Sequence, residues 1–207
     1  MSDPVPIRAD LVKRLRDMTG AGMMDCKQAL IEAEGDLDKA QEILRARGKA
    51  GARKRESRTA TEGIVDAYIH GDGRIGVLVE VNSETDFVAR TDDFRTLARE
   101  VAMQVAATDP SWVSRDEVPQ DVIEGERKIY AEEARSSDKP DNVIERIVNG
   151  KLEAFFKDSV LLDQAYIRDD SKTIGDLVNE VAAKVGENVV VRRFVRFHRG
   201  QGIGTGQ

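Results

Sequence analysis

Cysteine is almost missing from this chain. Cys26 stands alone, which excludes an intrachain disulfide and any metal cluster built on cysteine. Histidine occurs twice, at His70 and His198, too few for a histidine-rich metal site. Aromatic residues make up 5% of the chain, so its core has to be built from Val, Ile, Leu and Ala. No apolar run approaches the ~20 residues that cross a bilayer; the best, Ile75 to Val79, is ended by Glu80. The opening Met-Ser-Asp-Pro lacks the apolar core of a secretory signal, and a cytosolic protein is the expectation. Also missing are an EF-hand loop, a GxxxxGK[ST] loop and a GxGxxG following a strand. The tail Gly200-Gln201-Gly202-Ile203-Gly204 spaces its glycines suggestively, but no helix follows, so it reads as a flexible end. A hard-cation site made of carboxylates stays open; the rest of an enzyme's equipment is thin.

What is present is charge, 34% of 207 residues, with a net balance of -6 that is unevenly spread. Residues 1–58 hold 13 basic and 10 acidic side chains, residues 59–207 hold 19 and 28. The positive charge gathers at Arg45, Arg47, Lys49, Arg53, Lys54, Arg55 and Arg58, opposed only by Glu56. Such a run could bind phosphates, but a solvated helix end and linker is the plainer reading. The acidic remainder argues against a nucleic-acid-binding protein as a whole.

The periodicity divides the chain. Leu11, Leu15 and Met18 mark one face of a first helix ending before Gly20. Ala29, Leu30 and Ala33 mark a second, stopped by Gly35. Asp36 caps a third, whose face is Leu37, Ala40, Ile43 and Leu44 and which stops at Gly48. These predict a three-helix domain over 1–48 and a basic linker over 49–60. From Gly63 the period becomes two: Ile64 to Ile69, the turn Gly71-Asp72-Gly73, then Gly76 to Val81 predict a hairpin. A helix beginning near Thr91 to Asp93 follows, with Phe94, Leu97, Ala98, Val101 and Val105 inward. Two charged helices, about 120–158, form a helical hairpin about the turn Asp138-Lys139-Pro140, with Ile129 inward on the first and Ile144, Ile147, Val148 and Leu152 on the second. Val160 to Ile167 reads as a strand, Ile174 to Val185 as a helix stopping at Gly186, and Val189 to Phe197 as a last strand whose Arg192, Arg193, Arg196 and Arg199 suit an edge. The prediction is an α+β fold, with a mostly antiparallel sheet packed by helices over 61–199 and a flexible tail over 200–207.

Two stretches use residues that folding alone does not require. Thr19-Gly20-Ala21-Gly22-Met23-Met24-Asp25 places two adaptable methionines at a glycine-loosened bend. Adjacent helical positions point about 100° apart, so only one Met can be central to a core. Asn82 to Arg90 places Phe87 in a polar loop, where a lone Phe ordinarily folds back on its own sheet and an exposed one is costly unless something binds it. Glu80, Glu84, Thr85 and Asp86 suggest acid and base groups, but no nucleophile, histidine or oxyanion donor accompanies them, which argues against an enzyme.

Leu11-Val12-Lys13-Arg14-Leu15-Arg16, with Thr19-Gly20-Ala21-Gly22-Met23-Met24-Asp25-Cys26-Lys27-Gln28-Ala29-Leu30, resembles the opening signature of the translation elongation factor Ts family. Glu80-Val81-Asn82-Ser83-Glu84-Thr85-Asp86-Phe87-Val88-Ala89-Arg90 resembles its second signature. Lys139-Pro140, Leu161 to Gln164 and Arg193 to Phe197 are further likenesses. The resemblance implies guanine-nucleotide exchange on elongation factor Tu, the GTPase that carries aminoacyl-tRNA. It implies a ubiquitin-associated-like N-terminal domain docking through Arg16, Met23, Met24 and Lys27. It also implies a wedge of Thr85, Asp86, Phe87 and Val88 inserted beside the partner's magnesium site. No cofactor or metal of its own, no membrane and no direct nucleic-acid contact are implied. Short members can act as dimers, so a homodimer is an open expectation.

Overall fold

The computed structural model describes residues 7–135 and 140–201. The expected turn residues Asp138 and Lys139 and the tail from Gly202 lie outside the described residues. The described residues gather into two compact units, one of 7–63, 82–95 and 178–190, the other of 64–81, 96–135, 140–177 and 191–201.

In the first unit, α1 (Ala9–Thr19), α2 (Met23–Glu32) and α3 (Leu37–Arg55) form the three helices. Val12, Leu15, Cys26, Ala29, Leu30, Ala33 and Ala40 are their buried core, with Leu11, Leu37, Ile43 and Leu44 packed against it. Met18, expected inward, is 49% exposed; Val12 takes the core place, because the stripe of α1 runs through residues 11, 12 and 15. Gly20 (φ 67°) ends α1 and Gly35 (φ 86°) follows α2, both in the left-handed region that favours glycine. Asp36 caps α3 as expected, its Oδ1 accepting from the backbone N–H groups of Asp38 and Lys39.

Gly48 does not stop α3, which runs on to Arg55. A glycine inside a helix costs only about 1 kcal/mol relative to alanine, and the Ala, Lys and Arg residues around it are good helix formers. The basic run therefore begins on a continuous helix.

In the second unit the hairpin of β1 (Glu62–His70) and β2 (Ile75–Ser83) turns at 71–74, where Arg74 N–H reaches His70 O at 3.1 Å. With β5 (Val190–His198) it makes a three-stranded sheet ordered β1-β2-β5. Arg199 N–H donates to Arg74 O and Arg193 pairs with Glu80, so β5 runs antiparallel to β2 and forms the arginine-bearing edge. Val77, Val79 and Val81 are buried and Leu78 between them is exposed. The helix α5 (Asp92–Thr108) buries Phe94, Leu97, Ala98, Val101 and Val105 as its periodicity predicts.

The helical pair is α6 (Gln120–Arg135) and α7 (Asp141–Ser159). Ala134, Ile144, Val148 and Leu152 are its core, joined by Ile123, Tyr130, Ala131 and Ile147. Ile129 is 50% exposed, contrary to expectation; its neighbour Tyr130 takes the inward place about 100° around the helix. The predicted strand Val160 to Ile167 is mostly something else. Leu161–Asp163 is a 3-10 turn, tied by Leu161 N–H to Trp112 O (2.9 Å) and Leu162 N–H to Val113 O (3.1 Å). Val160 makes an isolated parallel bridge to Trp112, and the one strand in the range is β3 (Ala165–Tyr166), paired antiparallel with β4 (Asp169–Thr173). A short apolar run cannot by itself distinguish a strand from a buried turn. The helix α8 (Ile174–Val185) ends before Gly186 (φ 76°), as predicted.

Candidate partner-binding sites

The Asn82–Arg90 stretch is the end of a strand followed by one short helix. Asn82 and Ser83 finish β2 and are buried, and Ser83 Oγ donates to Thr85 O at 2.9 Å. Thr85 is extended and caps α4 (Asp86–Ala89), a single turn, its Oγ1 accepting from Val88 N–H at 3.5 Å. Thr91 Oγ1 donates to Val88 O at 2.8 Å at the other end. Val88 and Ala89 face inward and are buried. Phe87, one position earlier, is turned about 100° from Val88 and is 79% exposed. A lone phenylalanine ordinarily folds back; here Val88 occupies the inward direction and the ring is left in water. Asp86 pairs with Arg90 at 2.7 Å across one turn.

Glu187, which sequence reasoning missed, closes this arrangement. Its Oε2 accepts from Glu84 N–H (3.1 Å) and Thr85 N–H (3.0 Å), and its Oε1 accepts from Thr85 Oγ1 (2.7 Å). Glu84 answers by accepting Asn188 N–H at 2.6 Å, and it pairs with Arg58 at 3.3 Å. Asn188 Nδ2 donates to Arg58 O at 2.9 Å. Glu84 is thus occupied in holding backbone, and Glu80 in its 2.6 Å pair with Arg193; neither is placed as a general base. A partner 102 residues away leaves no periodic signal that could have found Glu187.

The methionine bend is built from the turn between α1 and α2. Gly20 N–H reaches back to Arg16 O at 2.7 Å, and Thr19 Oγ1 donates to Leu15 O at 2.7 Å and accepts from Ala21 N–H at 3.3 Å. Gly22, extended, leads into α2. Cys26 is fully buried beneath the bend, its Sγ donating to Ala21 O at 3.7 Å, and burial pushes its thiol up, away from reactive thiolate. Met23 is 52% and Met24 73% exposed, so neither belongs to the core. Lys27 lies one turn from Met23 on the same helix, and Arg16 and Lys27 are both exposed. Four side chains read from the sequence therefore stand in water beside one glycine-rich turn.

Among the described residues no group of three or more His, Cys, Asp or Glu side chains could hold a metal ion. No helix among the described residues is long and apolar enough to cross a membrane.

The family model described as Elongation factor TS matches residues 38–201. The chain is 59% identical to the Elongation factor Ts of Caldanaerobacter subterraneus subsp. tengcongensis over 197 residues, 95% of this chain and 98% of that one. The chain belongs to the elongation factor Ts family. It is 56% identical over 196 residues to the Elongation factor Ts of a Thermotoga species, covering 95% of this chain and 98% of that one. It is 55% identical over 195 residues to that of Coprothermobacter proteolyticus, covering 94% and 99%. These relatives are thus matched over almost their whole length.

Proposed function

We propose that the chain releases GDP from elongation factor Tu by two simultaneous contacts: a wedge of Thr85, Asp86, Phe87 and Val88 beside the GTPase's magnesium site, and a dock of Arg16, Met23, Met24 and Lys27. Family membership supplies the function itself, nucleotide exchange on elongation factor Tu during cytoplasmic translation elongation, and makes the chain a non-catalytic factor. The observation that carries the wedge is the outward Phe87 ring on a rigid turn whose next residue is buried. The exposed Met23 and Met24 support the dock.

Magnitudes require both contacts. Burying a phenylalanine contributes about 1.5–3 kcal/mol. A thousandfold faster release needs about 4 kcal/mol off the barrier. Phe87 alone is too little, and docking elsewhere must hold the wedge at the magnesium-phosphate cradle that retains the nucleotide. Coupling is reciprocal, so bound nucleotide weakens the factor's grip as the factor weakens the nucleotide's. Residues 1–48 serve in this reading as the docking domain, 49–60 as the connecting basic segment and 61–199 as the core carrying the wedge.

A second copy of the chain is the further partner. Asp66 and Arg196 turn toward α5, where Arg99 meets Asp66 and Arg196 meets Ala106 O. Alternate residues therefore point to the other face of the sheet. There Val65, Ile69, Leu78, Val195 and Phe197 are all exposed, and Ile69 lies over Gly76. An exposed apolar sheet face of this kind suits sheet-on-sheet packing in a homodimer.

The test is release of a fluorescent GDP analogue from elongation factor Tu. The wild-type chain accelerates release strongly, and Phe87→Ala loses at least about tenfold of that acceleration with the fold intact. No acceleration by wild type, at concentrations where the two proteins bind, overturns the proposal.

A further inference from the structure

We infer that Glu187 is a positioning residue for the Phe87 wedge, an inference that rests on the exchange function proposed above. Phe87 makes its own ring no home, so the direction of the ring is set by the backbone of residues 84–89. Buried Val88 and Ala89 fix one side of that turn. The other side, where the chain leaves β2, is held chiefly by the Glu187 carboxylate, which takes two backbone N–H groups and one hydroxyl at 3.1, 3.0 and 2.7 Å, beside the single Ser83 Oγ bond to Thr85 O.

Glu187 is itself held in place. The clasp is reciprocal: Glu187 receives backbone N–H groups from the 84–85 segment, and Glu84 receives the Asn188 N–H in return. Arg58 Nη1 reaches Glu84 (3.3 Å) and Gly186 O (3.5 Å). Lys184 pairs with Asp93 at 2.7 Å beyond the turn. The wedge turn and the 186–188 turn are thereby locked by charge-assisted bonds, roughly twice as strong as neutral ones. A wedge has to arrive pre-aimed, because any swing of the ring is ordered at the partner's surface at the expense of the transition state. Removing the carboxylate leaves three donors without it and frees the turn to rotate about the Val88 anchor.

The experiment measures GDP release from elongation factor Tu against factor concentration, giving a maximal rate and a half-saturating concentration. Wild type, Phe87→Ala, Glu187→Ala and Glu187→Gln are compared, with thermal melts of each. The expected result is a maximal rate lowered roughly tenfold in Glu187→Ala, a half-saturating concentration within about threefold of wild type because the methionine dock is untouched, and partial recovery in Glu187→Gln, which keeps one acceptor oxygen. A wild-type maximal rate in Glu187→Ala overturns the inference. So does a loss shared equally by rate and half-saturation with a lowered melting point and no recovery in Glu187→Gln, which marks a merely structural role. Phe87→Ala separates the two ideas. A fast Phe87→Ala sinks the wedge itself, whereas a slow Phe87→Ala beside a fast Glu187→Ala sinks only the role of Glu187.

Discussion

Arg115 gathers three partners on an exposed surface. Its guanidinium donates to both oxygens of Glu153 at 2.9 and 2.8 Å, to Asp163 at 2.6 Å, and lies 4.6 Å over the Phe156 ring. The bidentate bond from Arg115 holds the Glu153 carboxyl below the usual carboxylate range. The sign follows from linkage. A carboxyl depressed in the folded state contributes stability above its unfolded value, and that contribution is lost as pH falls through the folded value. Solvent screening keeps it small, since half of the Glu153 side chain is in water. In an NMR titration the Glu153 carboxyl ends its change at lower pH than an ordinary glutamate, and Arg115→Ala moves it back up. An unmoved titration in Arg115→Ala removes this account. At the alkaline end, burial followed by the bond to Glu100 pushes the Tyr166 phenol up to about 12.

Two glycines on helices have opposite roles at the level of elements. A Cβ added at Gly48, inside α3, meets nothing within 4 Å. Gly48→Ala is expected to stabilise the chain by about 0.5–1 kcal/mol, since glycine has no packing reason to be there. Gly175, in the first turn of α8, has Leu162 O only 2.9 Å from where its Cβ would sit. Gly175→Ala is expected to cost about 1 kcal/mol or more, because backbone oxygen cannot yield as a side chain can. Urea unfolding midpoints of the two variants move in opposite directions if this is right; a common direction contradicts it. The helical pair shows the same dependence on position. Ile129 is spare surface, whereas Val148 and Leu152 close the core of α6 and α7.

For the whole molecule the open question is how many copies act together. The uncovered sheet face has Ile69 65% and Phe197 67% exposed, large apolar side chains standing in water on the two outer strands β1 and β5. Ile69→Asp with Phe197→Asp is expected to convert the chain to a monomer in sedimentation equilibrium, while the helices and their melting survive, because neither side chain belongs to a core. A wild-type chain that sediments as a monomer at micromolar concentration removes the dimer from the proposal. The experiment also bears on exchange. If the GTPase needs surfaces from two copies, the monomeric double variant loses acceleration although its Phe87 and Met24 are unchanged.

The local rhythm of the sequence determined what local rhythm can. Leu15, Ala29 and Leu30, the stripe from Phe94 to Val105, the Asp36 cap and the end of α8 before Gly186 all follow from 3.6-residue spacing and from glycine's freedom at positive φ. The wording of the two signatures determined the family. Tertiary structure alone decided that Val88 goes in and Phe87 out, that Tyr130 displaces Ile129, and that Leu161–Asp163 turns instead of extending. It also decided that Glu187 answers Thr85 across 102 residues. Each of those outcomes depends on hydrogen bonds and buried neighbours distant in sequence, and such a partner imposes no period on the residues it selects.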